Sequence, residues 1–212
     1  MPERWPRVVL ASANPGKIAE FRALLEDFRL QVIPQAELGI SSAEETAPTF
    51  IENALLKARH AAERAQAPAL ADDSGLTVEA LAGAPGIYSS RYAGPTATDT
   101  DNIERLLNAL GDRPPDARRA TFLCVIVMLR GAQDPDPLIA TGRWSGRILD
   151  TPRGSGGFGY DPVFLPEGYR ESAAELTPEV KNRLSHRGQA VAELRAQLAG
   201  SRGAVPGPAR PA

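Results

Sequence analysis

One stretch near the N-terminus decides the fold, and it reads Arg7-Val8-Val9-Leu10-Ala11-Ser12-Ala13-Asn14-Pro15-Gly16-Lys17. Its apolar start predicts a short buried strand over 7–11, and the small and polar residues behind it predict a turn. Asn14 is a suitable N-cap and Pro15 a suitable first helical residue. The helix that follows is expected to bury one apolar face: Ile18, Phe21, Leu24, Leu25 and Phe28.

The remaining chain predicts further strands and helices in alternation. Strands are expected over 30–34, 69–71, 119–130 and 138–149. Helices are expected to begin near Thr49, Thr98, Thr177 and Ser185, the first behind a capping box. The strand over 69–71 is expected to end at the turn residues Asp72-Asp73-Ser74-Gly75. The last two long strands are expected to pair antiparallel, so the sequence predicts a mixed α/β sheet flanked by helices.

Length and composition place the chain among ordinary globular proteins. It has 212 residues, which favours one domain over 1–199 with a Gly-, Pro-, Arg- and Ala-rich, disordered tail over 200–212. The net charge is -2, so any site for an anion must be local, and a general nucleic-acid or membrane binder is not expected. No apolar run is long enough to span a bilayer, and Met1–Trp5 lacks the apolar core of a signal peptide.

The single cysteine, Cys124, excludes a disulfide framework and suits a reducing cytosol. It lies inside an apolar run, so a buried structural role is expected. With two histidines in the chain, no zinc site has plausible spacing.

The turn before the first helix is a candidate phosphate site. A helix N-terminus offers free N–H groups and partial positive charge, and Lys17 lies in that first turn, where a cation is mildly unfavourable. A phosphate between the helix and the lysine would explain the placement. The alternative is a capped helix with a solvated lysine. The segment is not a Walker A loop, because that motif is absent.

Two adjacent carboxylates, Asp72 and Asp73, follow an apolar strand and form a candidate metal site. Two crowded negative charges are costly unless a cation compensates them, and oxygen ligands beside a phosphate favour Mg²⁺. The alternative is a plain turn. Glu44 and Glu45 offer further carboxylates, although acidic loop residues are most often solvated.

Two later segments look suited to a nucleoside. The glycine-dense stretch Gly154–Asp161 carries Phe158 and Tyr160, which can stack on a base, and Asp161, which can accept a hydrogen bond. Its alternative is a flexible linker. The second segment holds three cationic or polar side chains near helix starts, and its alternative is a surface basic cluster: Lys181, His186 and Arg187.

In combination, these motifs closely resemble the non-canonical purine NTP pyrophosphatases. The resemblance covers roughly Val8 to Leu198 and rests on six ordered motifs: Ser12–Lys17, Phe50–Ala54, Ala71–Leu76, Gly83–Arg91, Gly156–Pro162 and Ser185–Gly188. It implies an elongated α/β fold of two lobes around a substrate cleft, a homodimer, and a cytoplasmic enzyme. It also implies Mg²⁺-dependent hydrolysis of ITP, dITP and XTP to monophosphate and pyrophosphate, which removes deaminated purines from the nucleotide pool.

The resemblance also implies roles for individual residues. Asp73 would be catalytic and metal-linked, with Ser74 contacting substrate and Glu45 as the further metal ligand; Glu44 and Asp72 are alternatives to Glu45. Phosphates would bind the first motif: Ser12, Ala13, Asn14, Pro15, Gly16 and Lys17. Nucleoside and phosphates would be held by the later motifs: Phe158, Gly159, Tyr160, Asp161, Lys181, His186 and Arg187.

The expected mechanism leaves two roles open for Asp73, which either ligates the metal or takes the proton of the attacking water. Asp73 is expected to face Lys17 across the cleft, and Lys17 with Lys181 to stabilise the leaving pyrophosphate. Donors such as His186 or Arg187 would favour a 6-keto purine over adenine. A Maf-like pyrophosphatase of other nucleotides and a non-catalytic nucleotide sensor are the alternatives.

Overall fold

A computed structural model describes residues 7–26 and 30–200. The strands are β1 (Arg7–Leu10), β2 (Gln31–Pro34), β3 (Ala69–Val78), β4 (Arg119–Leu129), β5 (Leu138–Ile148) and β6 (Phe164–Pro166). The α-helices are α1 (Pro15–Leu25), α2 (Phe50–Ala65), α3 (Asp99–Leu110), α4 (Pro178–Leu184) and α5 (His186–Gly200).

The strands form one mixed sheet in the order β2-β1-β3-β4-β5-β6. β1 runs parallel to both β2 and β3, whereas the pairs β3–β4, β4–β5 and β5–β6 are antiparallel. The sheet thus joins a parallel strand–helix unit to an antiparallel hairpin, and helices pack on it. This confirms the predicted mixed α/β class.

The prediction that the third strand ends before Asp72 is wrong. β3 continues to Val78, because β4 pairs with it residue by residue from Ala69↔Leu129 to Val78↔Ala120. β1 pairs with β3 only as far as Leu10↔Leu70. Asp72 and Asp73 therefore lie inside β3, in the part that β1 no longer covers. The open strand end near the carboxylates belongs to β1.

The structure confirms the predicted helix caps. The side chains of Asn14, Thr49, Thr98 and Thr177 cap their helices as expected, and Thr98 forms a full capping box with Asp101. The short strand β6 was not predicted. Phe28 and the tail from 201 onward lie outside the described residues. Within the described ranges, no helix is long and apolar enough to cross a membrane.

Three apolar clusters fill the space around the sheet. One packs α1 and α5 against the sheet and includes Phe21 and Leu194. A second lies under α2 and is rich in alanine, and a third lies under α3 at the far end of the sheet. Cys124 belongs to the first cluster, where burial raises the pKa of its thiol to about 12. It is therefore a structural residue, as predicted.

Gly142 of β5 allows the start of α5 to lie against the sheet. A Cβ at this position would overlap the carbonyl oxygen of His186 and lie 2.8 Å from the amide nitrogen of Ala190. The absence of a side chain at Gly142 therefore positions the helix that carries His186 and Arg187.

Gly142→Ala should lower the free energy of unfolding by about 1–3 kcal/mol, because backbone atoms must move to admit the methyl group. Urea unfolding measures the change. Gly131→Ala is the matched control, since a Cβ there meets open space, and it should leave the midpoint unchanged. Equal midpoints for both variants would contradict the packing role of Gly142.

Candidate active site

Asp72 lies at the centre of a buried ion-pair network. Its side chain is fully buried, and Oδ2 lies 2.9 Å from Lys17 Nζ and 3.2 Å from Arg187 Nη2. Burial by itself would raise the pKa of this carboxyl, but Lys17 and Arg187 outweigh it and hold the pKa below its usual range. Asp72 is therefore ionised, and its ion pairs give it a structural role.

Asp73, the next residue, has the opposite electrostatic setting. Burial raises its pKa, and Lys57, whose Nζ lies 2.8 Å from Oδ1, compensates only in part. None of the described residues gives its buried Oδ2 a hydrogen-bond partner. Two adjacent carboxylates with pKa values moved in opposite directions mark Asp73 as the one suited to proton transfer or metal binding.

Lys57 is a site residue that the sequence analysis missed. It lies on α2 and bridges Asp73 to Glu45, whose Oε1 is 2.7 Å from its Nζ. Burial would lower the pKa of Lys57, but the carboxylates of Asp73, Asp72 and Glu45 raise it, so the ammonium stays charged. A signal was available, because Lys57 is the one charged residue on the buried face of α2, which otherwise carries Asn53 and four alanines.

Glu20 of α1 is the second missed residue. One carboxylate oxygen lies 2.8 Å from Lys181 Nζ, and the other accepts a short hydrogen bond from Arg187. Lys181 in turn lies 2.6 Å from Asp161 Oδ2. Lys181 and Arg187 are thus buried members of the network, so the surface-cluster alternative for them does not hold.

The predicted phosphate segment forms one end of a continuous cleft. A compartment of about 190 Å³ at this end is lined by Ala11, Ser12, Ala13, Asn14, Lys17, Gln35, Ser42, Ala43, Glu45, Lys57, Asp72 and Ser90. Pro15 and Gly16 are absent from this lining; Gly16 instead lies against the ring of Phe158. Lys17 and Asp73 both line a second compartment of the cleft, but Lys17 pairs with Asp72, and Lys57 makes the close contact with Asp73.

The glycine-dense stretch is an ordered loop rather than a linker. The amide of Phe158 donates to Asp161 Oδ2 at 2.9 Å, and the Tyr160 hydroxyl donates to the carbonyl of Ser89 at 2.9 Å. The ring of Phe158 lies 5.1 Å from Lys181 Nζ and 5.7 Å from the guanidinium carbon of Arg187. An aromatic face is therefore held beside two cations at the second end of the cleft.

This second compartment measures about 110 Å³ and shares Asn14, Lys17, Glu45 and Ser90 with the first. It is also lined by the whole predicted nucleoside set: Phe158, Gly159, Tyr160, Asp161, Lys181, His186 and Arg187. The remaining lining residues are Asp73, Ser74, Ile87, Ser89, Asp99 and Asn102. The structure thus joins five of the six sequence motifs in one cleft; Phe50–Ala54 lines neither compartment. Glu44 lines neither compartment and is exposed.

His186 is a neutral side chain in this compartment. Burial, followed by the charge of Arg187, lowers its pKa well below 6.5. Its ring stacks on Phe122 with centroids 4.7 Å apart, and no described residue bonds to its buried Nδ1. A neutral imidazole with a free ring nitrogen can donate to a keto oxygen of a base.

The chain is similar to known proteins over most of its length. A model of the Ham1 family matches residues 8–197. The chain belongs to the Ham1 family. It is 58% identical over 185 residues to a dITP/XTP pyrophosphatase of Photorhabdus laumondii, covering 87% of this chain and 94% of the relative.

Solved structures of the Ham1 family share the fold. The HAM1 protein of Coxiella burnetii is 50% identical with a TM-score of 0.84, covering 92% of this chain and 98% of the other. The Ham1 protein of Staphylococcus aureus is 44% identical with a TM-score of 0.81, covering 92% and 99%. The mixed α/β architecture is therefore that of the family.

The neutral state of His186 predicts a pH dependence of stability. Its folded pKa lies below the unfolded value of 6.5, so between the two values the unfolded chain binds more protons. The free energy of unfolding should therefore fall as pH drops below about 6.5, by up to about 1.4 kcal/mol per pH unit. Urea unfolding from pH 7.5 to 5.5 measures this slope.

His186→Gln should flatten that slope, whatever it does to stability at pH 7.5. His60→Gln is the matched control and should retain the wild-type slope, because His186 is still present. A slope that survives in His186→Gln would assign the dependence to another group.

Proposed function

We propose that this chain hydrolyses ITP, dITP and XTP to the monophosphate and pyrophosphate, and so removes deaminated purines from the nucleotide pool. The observation that carries the proposal is Asp73, a buried carboxylate with a raised pKa and an Oδ2 without a partner among the described residues. Asp73 lines the second compartment and pairs with Lys57 of the first. The name of the Photorhabdus laumondii relative supports the same substrates.

The two compartments suit the two halves of a nucleoside triphosphate. The phosphate end begins at the N-terminus of α1, where Lys17 and Lys57 supply positive charge. The nucleoside end offers the ring of Phe158 for stacking on the base. We place the bond to be cut near Asp73, which lines the nucleoside end and pairs with Lys57 of the phosphate end. Asp73 can accept the proton of the attacking water there, and Lys57 offsets the charge on the leaving pyrophosphate.

Lys181 has a different role in this proposal from the one expected from sequence. It is paired with Glu20 and Asp161 and lies beside Phe158, so it belongs to the nucleoside end. We assign the stabilisation of pyrophosphate to Lys17 and Lys57 instead. Lys181 holds Asp161, which anchors the loop behind the stacking ring.

The residues fit Mg²⁺. Asp73 and Glu45 already share one cation, because Lys57 Nζ lies 2.8 Å and 2.7 Å from them. Within the described residues no group of three His, Cys, Asp or Glu side chains could hold a metal, which suits an ion held by two carboxylates with substrate and water oxygens. When bound, Mg²⁺ would neutralise phosphate charge and polarise the reacting phosphorus.

Charge balance supports a cation that arrives with the substrate. The described ion pairs of the cleft match five acidic with five basic side chains: Glu20, Glu45, Asp72, Asp73, Asp161, Lys17, Lys57, Arg91, Lys181 and Arg187. A triphosphate adds negative charge that these pairs do not offset. Mg²⁺ supplies the compensation.

Selectivity is assigned to the edge of the base. His186 is neutral and lines the nucleoside compartment, so its one ring N–H can donate to the 6-keto oxygen of hypoxanthine or xanthine. The 6-amino group of adenine is itself a donor, so ATP would leave two buried donors facing each other. Arg187 is less suited to donate to the base, since Glu20, Asp72 and Ser74 already accept hydrogen bonds from its terminal nitrogens.

The homodimer and the cytoplasmic location are part of this proposal and rest on the family resemblance. A Maf-like pyrophosphatase has no comparable support, because the family match covers residues 8–197. A nucleotide sensor would not need the uncompensated Asp73.

Pyrophosphate release from a panel of triphosphates tests the proposed function. ITP, XTP and dITP should be cleaved with Mg²⁺ at kcat/KM values at least about tenfold above those for ATP, since one mismatched buried donor costs that much or more. EDTA should abolish release. A comparable rate for ATP, or full activity in EDTA, would contradict the proposal.

Asn substitutions at the two aspartates should have opposite effects. Asp73→Asn should lower kcat by about 10²- to 10⁴-fold, because it removes the proton acceptor. It should preserve or raise the free energy of unfolding at pH 7, because a raised folded pKa means that the ionised carboxylate is unfavourable in the fold.

Asp72→Asn is the matched variant, one residue away in β3. It removes the negative charge that pairs with Lys17 and Arg187, so it should lower the free energy of unfolding by about 3–5 kcal/mol. Thermal unfolding and pyrophosphate release measure both properties. Near-normal turnover in Asp73→Asn would reject Asp73 as the catalytic group.

A further inference from the structure

Asp99 lines the nucleoside compartment, and neither the sequence motifs nor the family resemblance assigns it a role. It is the first residue of α3, a position where a carboxylate is usually explained by the helix dipole or by capping. Capping here is done by its neighbours. Thr98 N donates to Asp101 Oδ2 at 2.7 Å, and Asp101 N donates to Thr98 Oγ1 at 3.2 Å.

The side chain of Asp99 instead reaches across the cleft. Its Oδ2 accepts a hydrogen bond of 2.6 Å from the backbone N–H of Gly159, sixty positions away in the chain. The other end of the same peptide group is also held, because the carbonyl of Phe158 accepts from Asp161 N at 3.3 Å. Asp161 belongs to the loop itself, so Asp99 supplies the tie from the opposite wall.

That opposite wall consists of α3 and the segment 89–93, and hydrogen bonds connect it to β3, the strand that carries Asp73. Asn102 of α3 is buried, accepting from Ala93 N at 2.8 Å and donating to the carbonyl of Ser90 at 3.3 Å. Ser89 Oγ accepts from Leu76 N of β3 at 2.9 Å. The bond from Asp99 therefore connects the loop, through this wall, to β3, the strand that carries Asp73.

The orientation of a peptide plane sets the direction of the side chains beside it. Holding the plane between Phe158 and Gly159 restricts the ψ torsion at Phe158 and so the direction of its Cα–Cβ bond. The ring on that bond is then held by its contacts with Gly16 and Lys181. Tyr160 makes a second, buried tie to the same wall. The Asp99 bond is the solvent-exposed one, so it can be removed without opening the core.

We propose that Asp99 is a positioning residue, which holds the Phe158 ring in its stacking orientation through the N–H of Gly159. The inference deepens the proposed function, on which it rests for its substrate. Asp99 acts through the loop backbone and not on the reacting atoms, so its loss should weaken binding of the nucleoside more than it slows the chemical step.

The test uses the full-length chain with Asp99→Ala and Asp99→Asn, and Asp101→Ala as the matched control. Asp101 is an acidic residue of the same helical turn, whose contacts are to Thr98 rather than to the loop. Two properties are measured: amide hydrogen exchange at Gly159 without ligand, and KM and kcat for pyrophosphate release from ITP with Mg²⁺.

Asp99→Ala should speed exchange at Gly159 and raise KM by about tenfold each, the effect of losing one charge-assisted hydrogen bond, while kcat changes less than about threefold. Asp99→Asn keeps an acceptor oxygen and should stay within about threefold of wild type in both properties. Asp101→Ala should leave both unchanged.

Unchanged exchange at Gly159 in Asp99→Ala would overturn the proposal. So would an Asp99→Asn variant as impaired as Asp99→Ala, which would indicate charge rather than positioning, or the same defect in Asp101→Ala, which would indicate helix capping. If the wild type releases no pyrophosphate from ITP, XTP or dITP, the proposed function fails separately. The exchange measurement then still decides whether Asp99 holds the loop.

Discussion

Side chains of alternating charge form a chain of buried contacts across the floor of the cleft, and the other features of the site depend on it. In order of contact these are Asp161, Lys181, Glu20, Arg187, Asp72 and Lys17. They come from the glycine loop, α4, α1, α5 and β3. Removing one member leaves its neighbours as uncompensated buried charges, which is strongly unfavourable. The network therefore locks five elements into one arrangement.

Asp73 stands beside this network without belonging to it. Lys57 links it to Glu45, but its second oxygen has no partner among the described residues. The protein thus stabilises one carboxylate of the pair and leaves its neighbour in an unfavourable state. That division is common at active sites, where two neighbouring titratable groups have pKa values moved in opposite directions. Asp72 belongs to the buried ion-pair network, and Asp73 is the reactive group in the proposed function.

The two ends of the cleft are built by different means. The phosphate end relies on a helix N-terminus and lysines, which recognise charge and tolerate small shifts in position. In the proposed function, the nucleoside end relies on an aromatic ring and an imidazole, which must be correctly oriented to stack on the base or to donate to it. Its loop is accordingly tied down by backbone and side-chain hydrogen bonds from Asp161, Asp99 and Tyr160.

The sequence by itself determined the elements, their caps, the mixed sheet and the motifs that meet in the cleft. Those signals are short-range, since a cap such as Asn14 and an apolar face such as that of α5 involve residues within a few positions. Only the tertiary structure decided that Asp72 and Asp73 lie within a strand, because β4 pairs with them from more than fifty residues away. The roles of Lys57, Glu20 and Asp99 were also decided there, since each depends on a partner that is distant in the chain and close only after folding.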